Sequence, residues 1–486
     1  MERREARRVN PSQATPQAPT AGPFRGYERL DWIRSAADRQ RREGTRLNNL
    51  MHHLSEHNLR QAFRELDGSR ASGVDGVTKS QYQQNLEANL EALHDTIRGG
   101  GWGPRPSREV LIPKPQGGFR PLAIGCLEDK IVQTLMARIL EAIYDPQFHR
   151  HSYGFRRGKS AHQAVGRLYS VIDQRHRNCV VVEMDIEKFF NSVDHEWLMQ
   201  KLAERISDTH FLRLIRRLLR NSVLHENGTL ADNERGTPQG SPVSPVLANI
   251  CLHYLLDEWF AQNYSGKGEF VRYADDAVFV FKDEEEAQTF QAALVERMKE
   301  AGLNLNLDKS GIVSFNAAAP RGTISFLGFE LYWGYAEGGL KRTLKLKTSA
   351  KKLGRSISAF TDWIKAIRNR KPTKEIWRMA AAKLRGHFAY FGVCFNQPKL
   401  NHFYQACKEA LYKWLNRRSQ KRSFNWERFK QRLLFMPLPR PPSGPELIDV
   451  KSEHRTERKH QPKSRMREIR TSGSERSASR KRLAFT

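Results

Sequence analysis

The sequence predicts an α+β fold in two parts. Between about residues 105 and 335, short β-branched and aromatic runs alternate with helical periodicities. Two pairs of those runs read as hairpins. After about residue 345 only helical patterns remain.

The elements follow in chain order. Residues 1–44 read as a disordered, basic lead-in, because NPSQATPQAPTAGP is rich in Pro, Ala and Gln. PSREVLIPKP and GGFRPLAI predict a hairpin turned at Gly117 and Gly118. Ile131, Leu135, Ile139 and Ile143, at four-residue spacing, predict a helix from Lys130 to Ile143. VVVEMDI (180–186) predicts a buried strand, and FVRYADDAVFVF (270–281) predicts two strands with Asp275 and Asp276 at the turn. Asp283 caps a helix with Glu286 at the capping-box position and Gly302 at its end. Its apolar stripe is Ala287, Phe290, Leu294, Met298 and Ala301. ISFLGFEL (324–331) predicts one more strand. Beyond it, Leu400, Phe403, Tyr404, Cys407, Leu411, Trp414 and Leu415 share one helical face, while Lys408, Arg417 and Arg418 lie elsewhere. A separate helical domain with a basic outer surface over 336–442 is expected. Residues 443–486, ending RTSGSERSASRKRLAFT, predict a basic mobile tail.

Charge narrows the function. A net +29 on 486 residues, with pI near 10.1, points to a polyanionic partner, most often nucleic acid. The five cysteines include no C-x-x-C pair, which excludes a zinc ribbon or disulfide framework and fits a reducing cytoplasm. No apolar run reaches the length of a membrane span, so no membrane partner is expected. MERREARRVN has no apolar segment after it and is no secretory signal.

The chemistry is suggested by carboxylates. Aspartate pairs are ordinary in hairpin turns. Asp275 and Asp276, however, are flanked by apolar strands, and Asp185 ends a third apolar run. Three carboxylates converging at strand ends repel one another unless a cation lies between them. Mg²⁺ takes hard oxygen ligands, usually a few carboxylates plus substrate phosphates. Two such ions, about 3.5–4 Å apart, support in-line phosphoryl transfer. With the basic envelope this suggests a polymerase or nuclease. Lys114 and Arg120 flank the hairpin tip, where they could reach a triphosphate or simply be solvated. One of Phe189 and Phe190 reads as core, while the other could floor a sugar pocket. TPQGSPVSP (237–245) is a loop or helix entry whose backbone could approach a base pair. GFRRGKS (154–160) imitates a phosphate-binding loop, but Tyr153 stands where the first glycine belongs. Arg156, Arg157 and Lys159 read better as a basic strip for a nucleic-acid backbone.

These residues resemble a known family. YADD (273–276) is similar to the Y-x-D-D signature of reverse transcriptases. Around it, in order, stand ASGVDGVT (71–78), LIPKPQGGFRPLAI (111–124), HSYGFRRGKSAHQAV (151–165), VVEMDIEKFFNSVDH (181–195), RGTPQGSPVSPVLANICLHYLLD (235–257), GLNLNLDKS (302–310) and ISFLGFEL. The ordered set resembles the successive blocks of bacterial group II intron reverse transcriptases over about 45–335. KLRGHFAYFGV (383–393) and the Leu400–Trp414 helix resemble the thumb and maturase region.

The resemblance implies a right-hand polymerase with fingers, a ferredoxin-like palm and a helical thumb. It implies that Asp185, Asp275 and Asp276 bind two Mg²⁺ ions, and that Lys114 and Arg120 contact the deoxynucleoside triphosphate. Phe190 would be the sugar gate, with Phe189 as the other candidate, and Gln239 would lie against the nucleotide and template pair. Tyr273 and Lys309 would sit near primer and template. The expected function is RNA-directed DNA polymerase and maturase, acting in a bacterial cytoplasm on intron RNA with an RNA template and DNA primer. Two other readings are a domesticated enzyme in phage defence or CRISPR adaptation and a non-polymerising splicing cofactor. The chain ends soon after PLPRPP without paired cysteines, so no nuclease domain is expected.

Overall fold

The structure, a computed structural model, describes residues 24, 26–113, 118–174, 177–306, 310–320, 322–336, 338–418, 425–444 and 448. It is α+β throughout, in three successive regions.

The first region is mostly helical. It holds α1 (Leu30–Glu43), α2 (Glu56–Glu65), α3 (Lys79–Tyr82), α4 (Leu86–Arg98), the hairpin β1 (Ser107–Pro113) and β2 (Phe119–Ile124), then α5 (Leu127–Tyr144). The expected disordered lead-in of 1–44 is corrected over its second half, where Leu30, Ile33, Ala36 and Ala37 bury one stripe of α1 against α5; residues 1–23 and 25 lie outside the described residues. That stripe was masked in the sequence by the Arg-rich outer face of the same helix. The hairpin forms as predicted, with Ile112 opposite Arg120, although the turn itself and Lys114 lie outside the described residues.

The second region is the palm. It comprises α6 (Ala161–Gln174), β3 (Asn178–Met184), α7 (Phe189–Ser192), α8 (His195–Ala203), α9 (Thr209–Leu219), β4 (Val223–Leu224) and β5 (Leu230–Ala231). Then come α10 (Ser244–Leu252), a π-helical turn (His253–Asp257), α11 (Glu258–Asn263), β6 (Gly268–Tyr273), β7 (Asp276–Phe281), α12 (Glu284–Glu300) and β8 (Ile312–Asn316). Strands pair in the order β6–β7–β3–β8, all antiparallel. A β-α-β-β-α-β chain path giving this order is ferredoxin-like. The sheet is buried on both faces, which is why its strands read as continuous apolar runs. In β7, Ala277, Phe279 and Phe281 join the core shared with α5 and α12, while Val278 and Val280 face the core shared with α6 and the thumb.

The third region holds β9 (Ile324–Phe326), β10 (Phe329–Tyr335), β11 (Arg342–Thr348), α13 (Ala350–Ile367), α14 (Thr373–Phe391), α15 (Gln397–Leu415) and α16 (Trp426–Phe435). ISFLGFEL is two strands and not one. Leu327 and Gly328, with φ of +52° and +81°, turn the chain back on itself. Nor do the thumb helices fold on a core of their own: Phe388, Phe403 and Leu411 join one apolar cluster with Val181 and Phe315 of the palm. Trp414, expected on the apolar face of α15, sits at its edge beneath Lys365, Arg368, Lys413 and Arg417. Of the expected mobile tail, only 443, 444 and 448 are among the described residues.

Candidate active site

β3 and β7 are neighbours, with Met184 opposite Ala277. The chain leaving β3 and the turn entering β7 therefore emerge at one end of the sheet. Asp185 lies on the first and Asp275 on the second, and both line a cavity of about 1430 Å³. Phe119, Arg120 and Pro121 of β2 bound it from the fingers, and Phe155, Phe190, Gln239 and Asn306 also line it.

Each side of this pocket is fixed by its own local chemistry. Asp185 donates its N–H to Ser310 Oγ at 3.1 Å and accepts the Asn306 N–H at 2.8 Å. The Gln239 carbonyl accepts the Ala123 N–H at 2.8 Å, tying this loop to the fingers hairpin. Gly240, at φ +110°, comes so close to Ala123 O that an added Cβ would lie 2.8 Å away. The Gln239 side chain donates to Asn191 Oδ1 at 2.9 Å. Phe189 is buried at 3% exposure, whereas Phe190 is half-buried against that core and reaches the cavity.

The catalytic-turn candidate is held from beneath. Ala274 is left-handed, with φ +56°. Its carbonyl accepts from Arg272 Nη1 at 3.0 Å, and Arg272 is itself paired with Asp257 and bonded to Asn249. Asp257 is the buried last residue of the π-helical turn.

Electrostatics follow from burial. Desolvation raises the Asp275 carboxyl above its ordinary value, and the Asp185 charge raises it further. Its own backbone N–H and the Arg272 and Arg120 cations act the other way. Two carboxylates lining one cavity, both offering oxygen donors, fit a hard divalent cation that completes its shell with phosphate oxygens.

Not every expected residue joins them. Asp276 is exposed and lines a second cavity of about 710 Å³ between palm and thumb, beside Lys352, Arg355 and Tyr390. Asp275 belongs to the turn that follows left-handed Ala274 and Asp276 opens β7, so the two side chains leave the backbone toward different cavities. Among the described residues no three His, Cys, Asp or Glu side chains are grouped to hold an ion. Tyr273 pairs with Asp276 across the turn and is half-buried. Lys309 lies outside the described residues. The expected basic strip is corrected at Arg156, which turns inward. It bonds Asp145 Oδ1 at 2.7 Å and the carbonyls of Ser152 and His149, over the Phe148 ring. Arg157 pairs with Glu65 and Glu141, and Lys159 caps the Tyr153 ring.

Sequence reasoning missed Asn249, Asp257, Arg272 and Ser310. Only Arg272 carried a visible signal, as a lone cation inside a core strand. The other three acquire their roles from partners 15 to 125 residues away.

A ferredoxin-like palm with carboxylates at the ends of adjacent strands, facing a fingers hairpin, defines a right-hand nucleic-acid polymerase. Residues 112–331 match the family described as reverse transcriptase (RNA-dependent DNA polymerase). Protein YkfC of Escherichia coli is 32% identical over 289 residues, which cover 51% of this chain and 74% of that protein. The chain belongs to the reverse transcriptases, and group II intron-encoded proteins are among its relatives. Group II intron-encoded protein LtrA of Lactococcus lactis is 31% identical over 40% of this chain and 32% of its own length. A 91 kDa protein in a cob intron of Schizosaccharomyces pombe is 45% identical over 37% of this chain. The match covers 21% of that protein, so the chain spans only a part of its intron-encoded relatives.

Proposed function

We propose that this protein copies intron RNA into DNA, extending a DNA primer with deoxynucleoside triphosphates, and that it also binds the intron RNA and assists its splicing. The single observation that carries the polymerase reading is the meeting of Asp185 and Asp275 in one cavity opposite Arg120.

In this reading Asp185 and Asp275 hold two Mg²⁺ ions together with substrate phosphates, with Asp276 at the edge of the site. When bound, the ions activate the primer hydroxyl and offset charge on the leaving pyrophosphate. The protein's own part is positioning. Arg120 meets the triphosphate, joined by Lys114 from the hairpin tip. Gln239, buttressed by Asn191, lies against the nascent base pair. Phe190 lies under the sugar and excludes a 2′-hydroxyl. Tyr273 and Lys309 serve the primer side. Phosphate contacts by the basic surface supply most of the RNA affinity. The five cysteines form no disulfide, which suits a reducing cytoplasm. Among the described residues no helix is long and apolar enough to cross a membrane.

Primer extension on an RNA template, with Mg²⁺, tests the reading. Wild type should extend and Asp275→Ala should not, with RNA binding intact in both. Equal extension by the two would refute the metal assignment. For the maturase role, intron RNA should splice at lower Mg²⁺ when the protein is present, and Asp275→Ala should preserve that effect.

A further inference from the structure

Phe155 combines two features that ordinary packing does not explain. It is a large apolar side chain left 48% exposed, and its backbone φ is +56°. Bulky L-residues adopt that conformation only when their surroundings impose it, and such residues cluster at functional sites.

The surroundings do impose it. The Tyr153 N–H donates to Arg272 O at 2.9 Å, and Asn249 Nδ2 donates to Gly154 O at 2.7 Å. Gly154 lies so near the catalytic turn that an added Cβ would stand 2.2 Å from Ala274 N. On the other side Arg156 is locked to Asp145, His149 and Ser152. The strained residue is thus the tip of an anchored loop, and its ring points at the cavity that holds Asp185 and Asp275.

There it meets Phe190. The two ring centroids are 6.3 Å apart with planes at 84°, an edge-to-face contact. Phe190 also touches Phe189, at 5.7 Å and 67°. Its backbone is pinned, because its carbonyl accepts the Thr237 N–H at 2.5 Å and Gly236 packs directly on it. What remains free in Phe190 is the side-chain rotamer, and Phe155 stands on its open side.

We propose that Phe155 is a positioning residue that fixes the Phe190 ring and thereby sets the preference for deoxy- over ribonucleotides. This rests on Phe190 being the sugar gate. Steady-state extension with dATP and with ATP, on one RNA template and primer, tests it in Phe155→Ala, Phe155→Tyr, Phe155→Gly, Phe190→Ala and the Phe155→Ala/Phe190→Ala double variant. Phe155→Ala should lower the ratio of the two kcat/KM values about two- to tenfold, the worth of an aromatic pair. The change should lie in KM for ATP, with kcat for dATP held within about twofold. Phe155→Tyr should keep the wild-type ratio. Phe155→Gly removes both ring and strain, so it should melt no lower than wild type yet lose discrimination, a combination that a purely structural role does not give. The double variant should match Phe190→Ala alone. If Phe190→Ala discriminates like wild type, the gate reading falls and takes this inference with it. If Phe190→Ala relaxes discrimination and neither Phe155→Ala nor Phe155→Gly does, only the role of Phe155 is overturned.

Discussion

Arg272 and Asp257 form a two-pronged ion pair with both side chains fully buried: Nε meets Oδ1 at 2.7 Å and Nη2 meets Oδ2 at 2.5 Å. The third arm, Nη1, reaches Asn249 Oδ1 and Ala274 O, each at 3.0 Å. One guanidinium thus links the π-helical turn, the helix before it and the strained turn that carries Asp275.

The pair should be worth more to catalysis than to stability. Arg272→Met alone leaves the Asp257 charge buried without a partner and should cost about 3–5 kcal/mol. The Arg272→Met/Asp257→Leu double variant removes both charges and should regain most of that in denaturant melts. Primer extension should stay depressed in the double variant, because the bond to Ala274 O is still missing. A fully active double variant would show that the pair serves the fold only.

Gly154 tests the same turn from the opposite side. Gly154→Ala forces a methyl against the Ala274 backbone, which has no flexible side chain to yield. Overpacking of this kind costs about 1–3 kcal/mol. The displaced group is the turn itself, so extension should fall far more than melting temperature. A variant that loses stability but keeps its full rate would mean that Asp275 tolerates movement.

Much of this frame was legible in the sequence, and the illegible parts share a cause. β3, β7 and α12 were readable because their side chains are sorted by period alone, Asp283 capping the last by accepting the Glu286 N–H at 3.0 Å. The split of ISFLGFEL was not, because Leu327 gives no sign of a left-handed backbone. Asp185 and Asp275 were found through their apolar flanks, which record burial locally. Asp276 looked equivalent in the sequence, and only the change from turn to strand between the two aspartates sends it to the other cavity. Arg156 looked like surface charge because its partner Asp145 lies 11 residues upstream, beyond any local pattern.

Stability should depend on pH through Asp129. This side chain sits in the first turn of α5, 1% exposed, with Oδ2 accepting the Arg105 N–H at 3.1 Å. Burial pushes its carboxyl from an ordinary 3.8 up to about 7. The folded state therefore holds the proton more tightly than the unfolded state, and stability falls as pH rises through that interval. Asp129→Asn keeps the acceptor oxygen and removes the charge. It should match wild type below about pH 4 and exceed it by a few kcal/mol, to order of magnitude, above about pH 7. Parallel melting curves across the range would refute the assignment.

Phe189 and Phe190 should separate cleanly. Phe189→Ala empties a site in the core around α5 and should cost about 3–5 kcal/mol in thermal or chemical melts. Phe190→Ala truncates a half-buried ring at the cavity wall and should cost far less, while raising ribonucleotide incorporation. If Phe189→Ala changed nucleotide choice at unchanged stability, the two roles would have to be exchanged.

RNA affinity should respond to the thumb cations that surround Trp414. The Arg368 and Arg417 guanidinium carbons lie 4.7 and 5.0 Å from its ring centre, so one aromatic platform holds both cations, Arg417 exposed and Arg368 half-buried. On a chain of net charge +29, contacts of this type bind phosphate without reading sequence. Arg368→Ala and Arg417→Ala should each weaken intron RNA binding about equally across RNA sequences. Each should also flatten the plot of log affinity against log salt by about one unit of slope, as one phosphate contact is lost. Filter binding from low to moderate salt measures both effects. A weakened affinity with unchanged slope would place these arginines away from the RNA backbone and leave them a structural role around Trp414.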